Sequence, residues 1–279
     1  MAKGNVRSRS ETEPRVRRGY FECRYGQLHV HNAIPPGGGF DEGTALICVH
    51  PSPRSGRLFQ RFLTTLGRDR SIYAPDLPGY GESDPPSAPP SIADYASAIV
   101  DFCDTMRLRQ VDLLGFQNGS LVAAEVAIAR PAVVRRIVLA SVPVPTEAGR
   151  VAFRRSPWPA QPLEDGAHLI REWRRTLETH RAALPLEALA RAFADELYNG
   201  PNAWWGVKAA LEYETLDRLM LVTQPTLIVR CRDEFWDATA LAHEANPKMR
   251  LVELSQWGAE LFEQVPEPLV STLREFLRR

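Results

Sequence analysis

The chain has 279 residues, and its 34 Lys and Arg balance its 34 Asp and Glu, so the formal net charge is zero. No overall field draws it to nucleic acid or a membrane surface, and no apolar run reaches the ~18 residues of a membrane span. The length suits one large α/β domain with an insertion. Four widely spaced cysteines are typical of buried thiols in a reducing compartment. We therefore expect a cytoplasmic protein without nucleic-acid or membrane partners, and leave a homodimer open.

Polar residues dominate the first part of the chain. Residues 1–18 carry six Lys or Arg and two Glu without a hydrophobic segment, which predicts a disordered tail. Beyond them, short apolar runs alternate with helical patterns. Strands are predicted at 20–24, 28–31, 44–50, 71–75, 111–114, 137–141, 225–229 and 250–254. The alternation indicates a doubly wound, mostly parallel sheet, whose ligands bind beyond the carboxyl ends of the strands.

The stretch 111–125 organises the rest of the chain. A short apolar run meets Gly115 and Gly119, and an Ala-rich helical pattern follows, which predicts a strand, a tight turn and a helix. The residue presented by this turn is Gln117, whose amide is no nucleophile near neutral pH. Ser120 falls in the first helical turn, where a capping or packing role fits best.

A second region, residues 145–219, has helical patterns and many aromatic residues but no strand signal. We interpret it as a helical cap inserted into a core formed by 19–144 and 220–279. Its aromatic side chains either fill the interior of the cap or face a pocket. Near the amino terminus, His29 and His31 share one strand face, for which a solvated face is a better interpretation than a metal site.

Several ordered features together resemble the α/β-hydrolase fold superfamily, from about residue 20 to the last residue. They are a strand that ends at His50, the loop 76–84, the Gly115/Gly119 turn, the late cap, and a strand from Pro225 that leads to acidic residues. The resemblance implies an eight-stranded, mostly parallel sheet with an inserted helical cap. It also implies a catalytic nucleophile, acid and histidine at defined positions.

The residues at those positions depart from the family pattern. The nucleophile position falls on Gln117, the acid on Asp233 or Glu234, and the histidine on Ala259. The resemblance therefore implies a triad-deficient member of the superfamily. It places the backbone amides of an oxyanion site at Ser52 and Asn118, whose donors do not depend on side-chain identity.

These positions favour a lyase, cyclase or isomerase that acts on a moderately apolar carbonyl compound, of the kind found in natural-product metabolism. Gln117 would orient the carbonyl, and Asp233 or Glu234 would move a proton. We expect no cofactor or metal. The residues expected to bind the substrate are His50, Phe116, Trp158, Trp204, Trp205, Tyr213, Trp236 and Ala259.

Three alternatives remain open at this point. The protein could be a catalytically dead small-molecule binder, an ester or epoxide hydrolase that positions water through its acids, or an active hydrolase captured as a variant at Gln117 or Ala259. His168 and His180 in the cap are weaker candidates for a base, and Glu260 is a weaker candidate for an acid.

Overall fold

The computed structural model describes residues 13–36, 43–156 and 162–278. Their eight strands form one sheet in the order β1-β2-β4-β3-β5-β6-β7-β8. The strands are β1 Arg17–Cys23, β2 Gly26–Ala33, β3 Gly43–Val49, β4 Arg70–Pro75, β5 Val111–Phe116, β6 Val134–Ala140, β7 Thr226–Cys231 and β8 Arg250–Leu254. β2 pairs antiparallel with both β1 and β4, and all other pairs are parallel. The predicted mostly parallel, eight-stranded α/β-hydrolase fold is confirmed.

Helices connect the strands of the core. They are α1 Gln60–Leu66, preceded by a 3-10 helix Gly56–Phe59, and α2 Ile92–Thr105, α3 Asn118–Ala129, α9 Trp236–Ala245, α10 Leu261–Gln264 and α11 Glu267–Arg278. α2 begins at the predicted capping box, in which the Ser91 hydroxyl accepts from the Asp94 amide and the Asp94 carboxylate accepts from the Ser91 amide. No helix of the described ranges is long and apolar enough to cross a membrane.

Between β6 and β7 the described chain is helical. The helices are α4 Glu147–Arg155, α5 Ala167–His180, α6 Leu186–Tyr198, a 3-10 helix Gly200–Asn202, α7 Trp205–Leu211 and α8 Thr215–Leu219. We call this set of helices the insert. α4 has no buried residue, and in α6 only Leu189, Ala192 and Asp195 are buried. The insert therefore covers the core with one face of its helices and leaves the other face to solvent.

The sheet is covered on both faces, which explains the apolar runs of its interior strands. Ile47, Leu113 and Ile137 belong to one buried cluster with residues of α2 and α3. The adjacent residues Leu46, Leu114 and Val138 belong to a second cluster with residues of α1 and α11. Cys48, Cys103 and Cys231 are buried free thiols, as expected. Residues 1–12 of the predicted tail lie outside the described residues. β1 begins at Arg17, so the last two positions of the predicted tail belong to a strand instead.

Candidate active site

The turn between β5 and α3 holds its central residue in an unusual conformation. Gln117 has φ 49° and ψ −124°, a region that non-glycine residues rarely adopt. A Cβ on Gly115 would lie 2.2 Å from the Gly119 carbonyl oxygen, and one on Gly119 would lie 2.3 Å from the Val49 carbonyl oxygen. Both glycines are therefore required by close backbone contacts, and together they present Gln117 at the carboxyl edge of the sheet. The Ser120 hydroxyl donates to the Gln117 carbonyl, which fits its predicted capping role.

Asp233 lies just after β7 and contacts the side chain of Gln117. The Gln117 Nε2 donates to Asp233 Oδ2 over 3.3 Å. The Ser141 hydroxyl donates to the same carboxylate oxygen, and the Phe235 amide donates to Oδ1 over 2.9 Å. Of the two candidate acids, Asp233 is thus the one that meets Gln117. The Glu234 side chain is more exposed than that of Asp233. Partial desolvation of Glu234 by its surroundings, together with the adjacent Asp233 charge, raises the pKa of Glu234.

The two residues expected to supply oxyanion amides contact each other. The Ser52 amide donates to Asn118 Oδ1 over 2.7 Å, and Asn118 Nδ2 donates to the Ser52 hydroxyl over 2.9 Å. The side-chain oxygen of Asn118 thereby occupies the donor that a substrate oxyanion would use. The Ser52 amide, which the resemblance placed in an oxyanion site, is therefore already bonded within the protein in this structure, because the neighbouring carboxamide reaches it.

A cavity of about 550 Å³ lies between the core and the insert. Gln117, Phe116 and Ala259 line it, as do Asp233 and Glu234. Its other charged or titratable lining residues are Arg54, Arg175, His180, Glu196, Arg232, Glu260 and Glu263. A wall with this many ionisable groups suits a polar ligand, so it does not fit the moderately apolar substrate expected from the sequence.

The cavity brings together two residues that sequence reasoning ranked low. His180 ends α5, Glu260 precedes α10, and their Nδ1 and Oε1 atoms lie 2.6 Å apart. The hydrogen bond to Glu260 is the largest cause of a raised pKa at His180. Glu260 is buried, whereas His180 remains partly exposed to the cavity. The pair forms beside Ala259, the position where the family resemblance implied a histidine.

Other expected substrate-binding residues have structural roles instead. His50 is fully buried, and its Nε2 accepts from the Leu77 amide over 2.8 Å. Its Nδ1 must then be the protonated nitrogen, which donates to the Pro51 carbonyl over 2.9 Å. Trp236 is outside the cavity lining, and the Arg230 guanidinium lies 3.9 Å from its ring centre. His50 therefore has a buried, hydrogen-bonded structural position, and Trp236 stacks with Arg230, so neither residue contacts a ligand in this cavity.

The aromatic residues of the insert do not line this cavity. Trp204 lies in a separate hollow beside Phe153. Trp205 is buried against Gly79, and the Tyr213 hydroxyl donates to Glu125 over 2.8 Å. Trp158 lies outside the described residues. The aromatics whose placement is known mainly fill the seam between insert and core, which is the alternative that the sequence left open.

His29 and His31 are buried rather than solvated, contrary to expectation. Their nitrogens and a carboxylate oxygen of Asp76 lie within 4.8 Å of one another. Asp76 accepts from His29 Nδ1 over 2.8 Å, from the Gly56 amide over 2.7 Å and from the Glu82 amide over 3.0 Å. This carboxylate is thus occupied in joining β2, the first 3-10 helix and the loop after β4. Sequence reasoning missed it because the three elements are far apart in the chain.

Comparisons with known proteins fit this architecture. The model of a family described as the alpha/beta hydrolase family matches residues 46–271. An uncharacterised protein of Mycobacterium tuberculosis is 30% identical over 112 residues, which cover 40% of this chain and 33% of that protein. Pyrrolizixenacetamide deacetylase of Xenorhabdus hominickii is 23% identical over 261 residues, covering 85% and 91% of the two chains.

Solved structures show the same fold at low sequence identity. A thermophilic esterase from Thermogutta terrifontis superposes with a TM-score of 0.74 and 18% identity, covering 94% of this chain and 98% of the esterase. The match to the mycobacterial protein spans only about a third of that protein's length. These similarities establish the fold, and the chemistry must be argued from the cavity itself.

Proposed function

We propose, from the premise that this chain belongs to the alpha/beta hydrolase family, that it is an enzyme of lyase, cyclase or isomerase type. It moves protons on a polar, carbonyl-containing small molecule without a covalent acyl intermediate and without a cofactor. The observation that carries this proposal is the hydrogen-bonded His180–Glu260 pair on the wall of the cavity that also contains Gln117.

His180 is suited to act as a general acid. Its Nδ1 faces Glu260, so Nε2 is the nitrogen left for a substrate. Glu260 raises the pKa of His180, which favours the protonated imidazolium near neutral pH. A positioned imidazolium of this kind can donate a proton to an oxygen that gains negative charge.

Glu234 is the better candidate for the base. The Asp233 carboxylate already accepts from Gln117, Ser141 and Phe235, so contacts within the protein occupy both of its oxygens. Glu234 lines the cavity with a raised pKa and interacts electrostatically with His180. In the proposed step, Glu234 takes a proton from the carbon next to the carbonyl, and the electron pair of that C–H bond forms the enolate. His180 then protonates the enolate oxygen. For a β,γ-unsaturated substrate, Glu234 returns its proton to the γ-carbon while the enol O–H proton goes back to His180. The double bond has then moved into conjugation, and both side chains regain their starting protonation states.

Two features oppose the acyl-enzyme route. Gln117 and Ala259 supply neither a nucleophile nor an imidazole at the two positions where the family usually has them. The Ser52 amide is also occupied by Asn118. The hydrolase names of relatives such as the Xenorhabdus deacetylase favour a second candidate, in which the acids activate a water molecule that attacks an ester or amide directly.

The first experiment separates these routes. The unmodified chain is tested with p-nitrophenyl esters and a fluorophosphonate serine probe, beside a Gln117→Ser/Asn118→Ala/Ala259→His variant. In parallel, NMR follows deuterium exchange into the α-positions of a panel of carbonyl compounds. We expect the unmodified chain to exchange α-protons without ester turnover or labelling. His180→Gln should lower exchange, whereas His168→Gln on the same helix should not.

Three other results would each point to a different function or mechanism. Ester turnover by the unmodified chain without labelling would support direct hydrolysis by water and overturn the proposed reaction type. Labelling of the unmodified chain would show that a nucleophile other than Gln117 is present. Ligand binding without turnover or exchange would identify a binding protein.

A further inference from the structure

We infer that Arg54 binds the carbonyl oxygen of the substrate and stabilises the negative charge that develops there. This inference rests on the proposed function and narrows its substrate class to neutral carbonyl compounds. It assigns to a side chain the role that the family resemblance implied for the Ser52 amide.

Arg54 is placed where the missing donor is needed. It lies on the loop after β3, two residues beyond Ser52, and lines the cavity together with Gln117, His180 and Glu234. Its backbone amide donates to the Pro51 carbonyl over 2.9 Å, which fixes the turn of this loop. Since the Ser52 amide is bonded to Asn118, Arg54 is the cation that the same loop still directs to the cavity.

Carboxylates hold the Arg54 side chain in place. Its Nη1 lies 3.1 Å from Glu263 Oε1, and its Nε lies 3.7 Å from Asp195 Oδ2. Asp195 is itself fixed, because its Oδ1 accepts from the Ser55 hydroxyl over 2.7 Å. The Arg54 side chain is only 18% exposed, so the contacts that orient it come mainly from the protein rather than from solvent. A charged group fixed in this way needs little reorganisation when negative charge develops near it.

The donors of Arg54 are incompletely satisfied. Among the described residues, its Nε has no hydrogen-bond partner, because the 3.7 Å separation from Asp195 is an ion-pair distance and too long for a hydrogen bond. The Oε2 of Glu263 likewise has no hydrogen-bond partner there. A guanidinium offers five N–H donors, and leaving a buried one unpaired costs free energy. Because this Nε is itself buried, a substrate oxygen in the cavity would accept from the Nη nitrogens of the guanidinium.

The other cavity arginines are less well positioned. Arg175 is 73% exposed and pairs with Glu172 over 2.8 Å. Arg232 is exposed, and its guanidinium lies 5.3 Å from the Trp236 ring centre. Both therefore lie toward the rim, where water screens their charge. Arg54 is the most enclosed and most firmly held of the three.

The charges around Arg54 indicate which substrate it suits. Glu263, Glu196 and Asp195 surround the guanidinium, and burial raises the pKa of both Glu196 and Glu263. These acids already balance the arginine, so a permanently anionic substrate would add unpaired negative charge to the cavity. A neutral carbonyl avoids that cost in the ground state and meets the guanidinium as its oxygen becomes negative. An interaction that is weak with the neutral carbonyl and strengthens as the charge develops raises kcat more than it lowers KM.

The test compares Arg54→Gln and Arg54→Lys with Arg57→Gln. Arg57 is a matched control because its Nε lies 3.5 Å from the same Asp195, but it does not line the cavity. For deuterium exchange, we expect Arg54→Gln to lower kcat by about 100-fold or more with KM nearly unchanged. Arg54→Lys should retain part of the rate, and Arg57→Gln should stay within about twofold of the unmodified chain because Arg57 carries no part of the site.

A binding measurement decides the inference even without turnover. Acetamide, a neutral carbonyl probe, and acetate are titrated separately while NMR follows the Arg54 Nε signal. We expect acetamide to shift that signal saturably and acetate to do so more weakly. Failure of acetamide to shift the signal, or stronger binding of acetate, would overturn the inference. If acetamide binds at Arg54 but no carbonyl compound exchanges, the proposed reaction fails, the stabilising role of Arg54 falls with it, and only the carbonyl-binding role of Arg54 stands.

Discussion

The cavity wall has two halves of different origin. The core half, with Gln117, Asp233 and Ser52, stands at the carboxyl edge of the sheet, and hydrogen bonds within the protein connect Gln117 to Asp233 and Ser52 to Asn118. The insert half contributes His180 and Glu196, which lie among few buried neighbours on partly exposed helices. The core half is rigid and largely occupied by its own contacts, whereas the insert half retains ionisable groups that face the cavity.

The core half preserves the shape of the turn, whereas the insert half supplies the imidazole that lines the cavity. Close backbone contacts preserve the turn at Gln117 although its side chain is not a nucleophile. The only imidazole that lines the described cavity comes from the insert and is paired with Glu260 of the core. The turn thus keeps the geometry that the family resemblance implied, while the imidazole of the proposed reaction comes from the insert.

The largest expected effect is on the stability of the turn between β5 and α3. A Cβ on Gly119 would collide with the Val49 carbonyl oxygen at 2.3 Å, and neither backbone can move without disturbing the sheet. We expect Gly119→Ala to lower the free energy of unfolding by about 3 kcal/mol, measured by urea denaturation. Gly149→Ala in α4 is the control, since its nearest contact would be the Thr146 hydroxyl at 3.3 Å, and it should change stability by less than about 1 kcal/mol. Equal losses in both variants would show that the turn is not specially constrained.

The next largest effect is on the rate of α-proton exchange, through His180 of the insert half. His180→Gln should lower the α-proton exchange rate by about 100-fold, because it removes the proposed general acid. In the unmodified chain, Glu260 raises the pKa of His180, so the imidazolium is fully present below pH 6.5 and is lost as the pH rises through the raised pKa. The rate should fall over that same interval. Glu260→Gln should move this fall to lower pH, and an unchanged pH profile would contradict the assigned roles.

A smaller effect distinguishes a buried histidine from the one in the cavity. Burial lowers the pKa of His31 from 6.5 to about 4, and neither ring nitrogen has a hydrogen-bond partner among the described residues. The unfolded chain therefore takes up a proton first as the pH falls, and the folded state loses stability between pH 6.5 and about 4. Between pH 7 and 5 this loss should reach about 2 kcal/mol. His31→Leu should remove it, as measured by urea denaturation at both pH values, and an equally steep pH dependence in the variant would show that other groups cause it.

Local sequence patterns were sufficient to predict some parts of the site. Gly115 and Gly119 identified the turn, and the family resemblance left the acid position open between Asp233 and Glu234, of which Asp233 contacts Gln117. The pairing of His180 with Glu260 depends on the rotation of α5 and on the packing of the insert over the core, which an 80-residue separation does not reveal. Asn118 was read only as a backbone donor, since no sequence pattern shows that its side chain reaches Ser52.

The smallest expected effect tests whether strain at the core half still has a function. Gln117 is held at φ 49° and ψ −124°, where glycine is much less strained than other residues. Gln117→Gly should therefore raise the free energy of unfolding by about 1 kcal/mol, after allowance for the greater entropy of glycine in the unfolded chain. The same change removes the amide that donates to Asp233, so exchange should slow although the protein becomes more stable. Urea denaturation and the exchange assay on one preparation measure both quantities. A variant that is less stable would show that the Asp233 contact outweighs the strain, and a variant that is more stable and equally active would show that the cavity works without this amide.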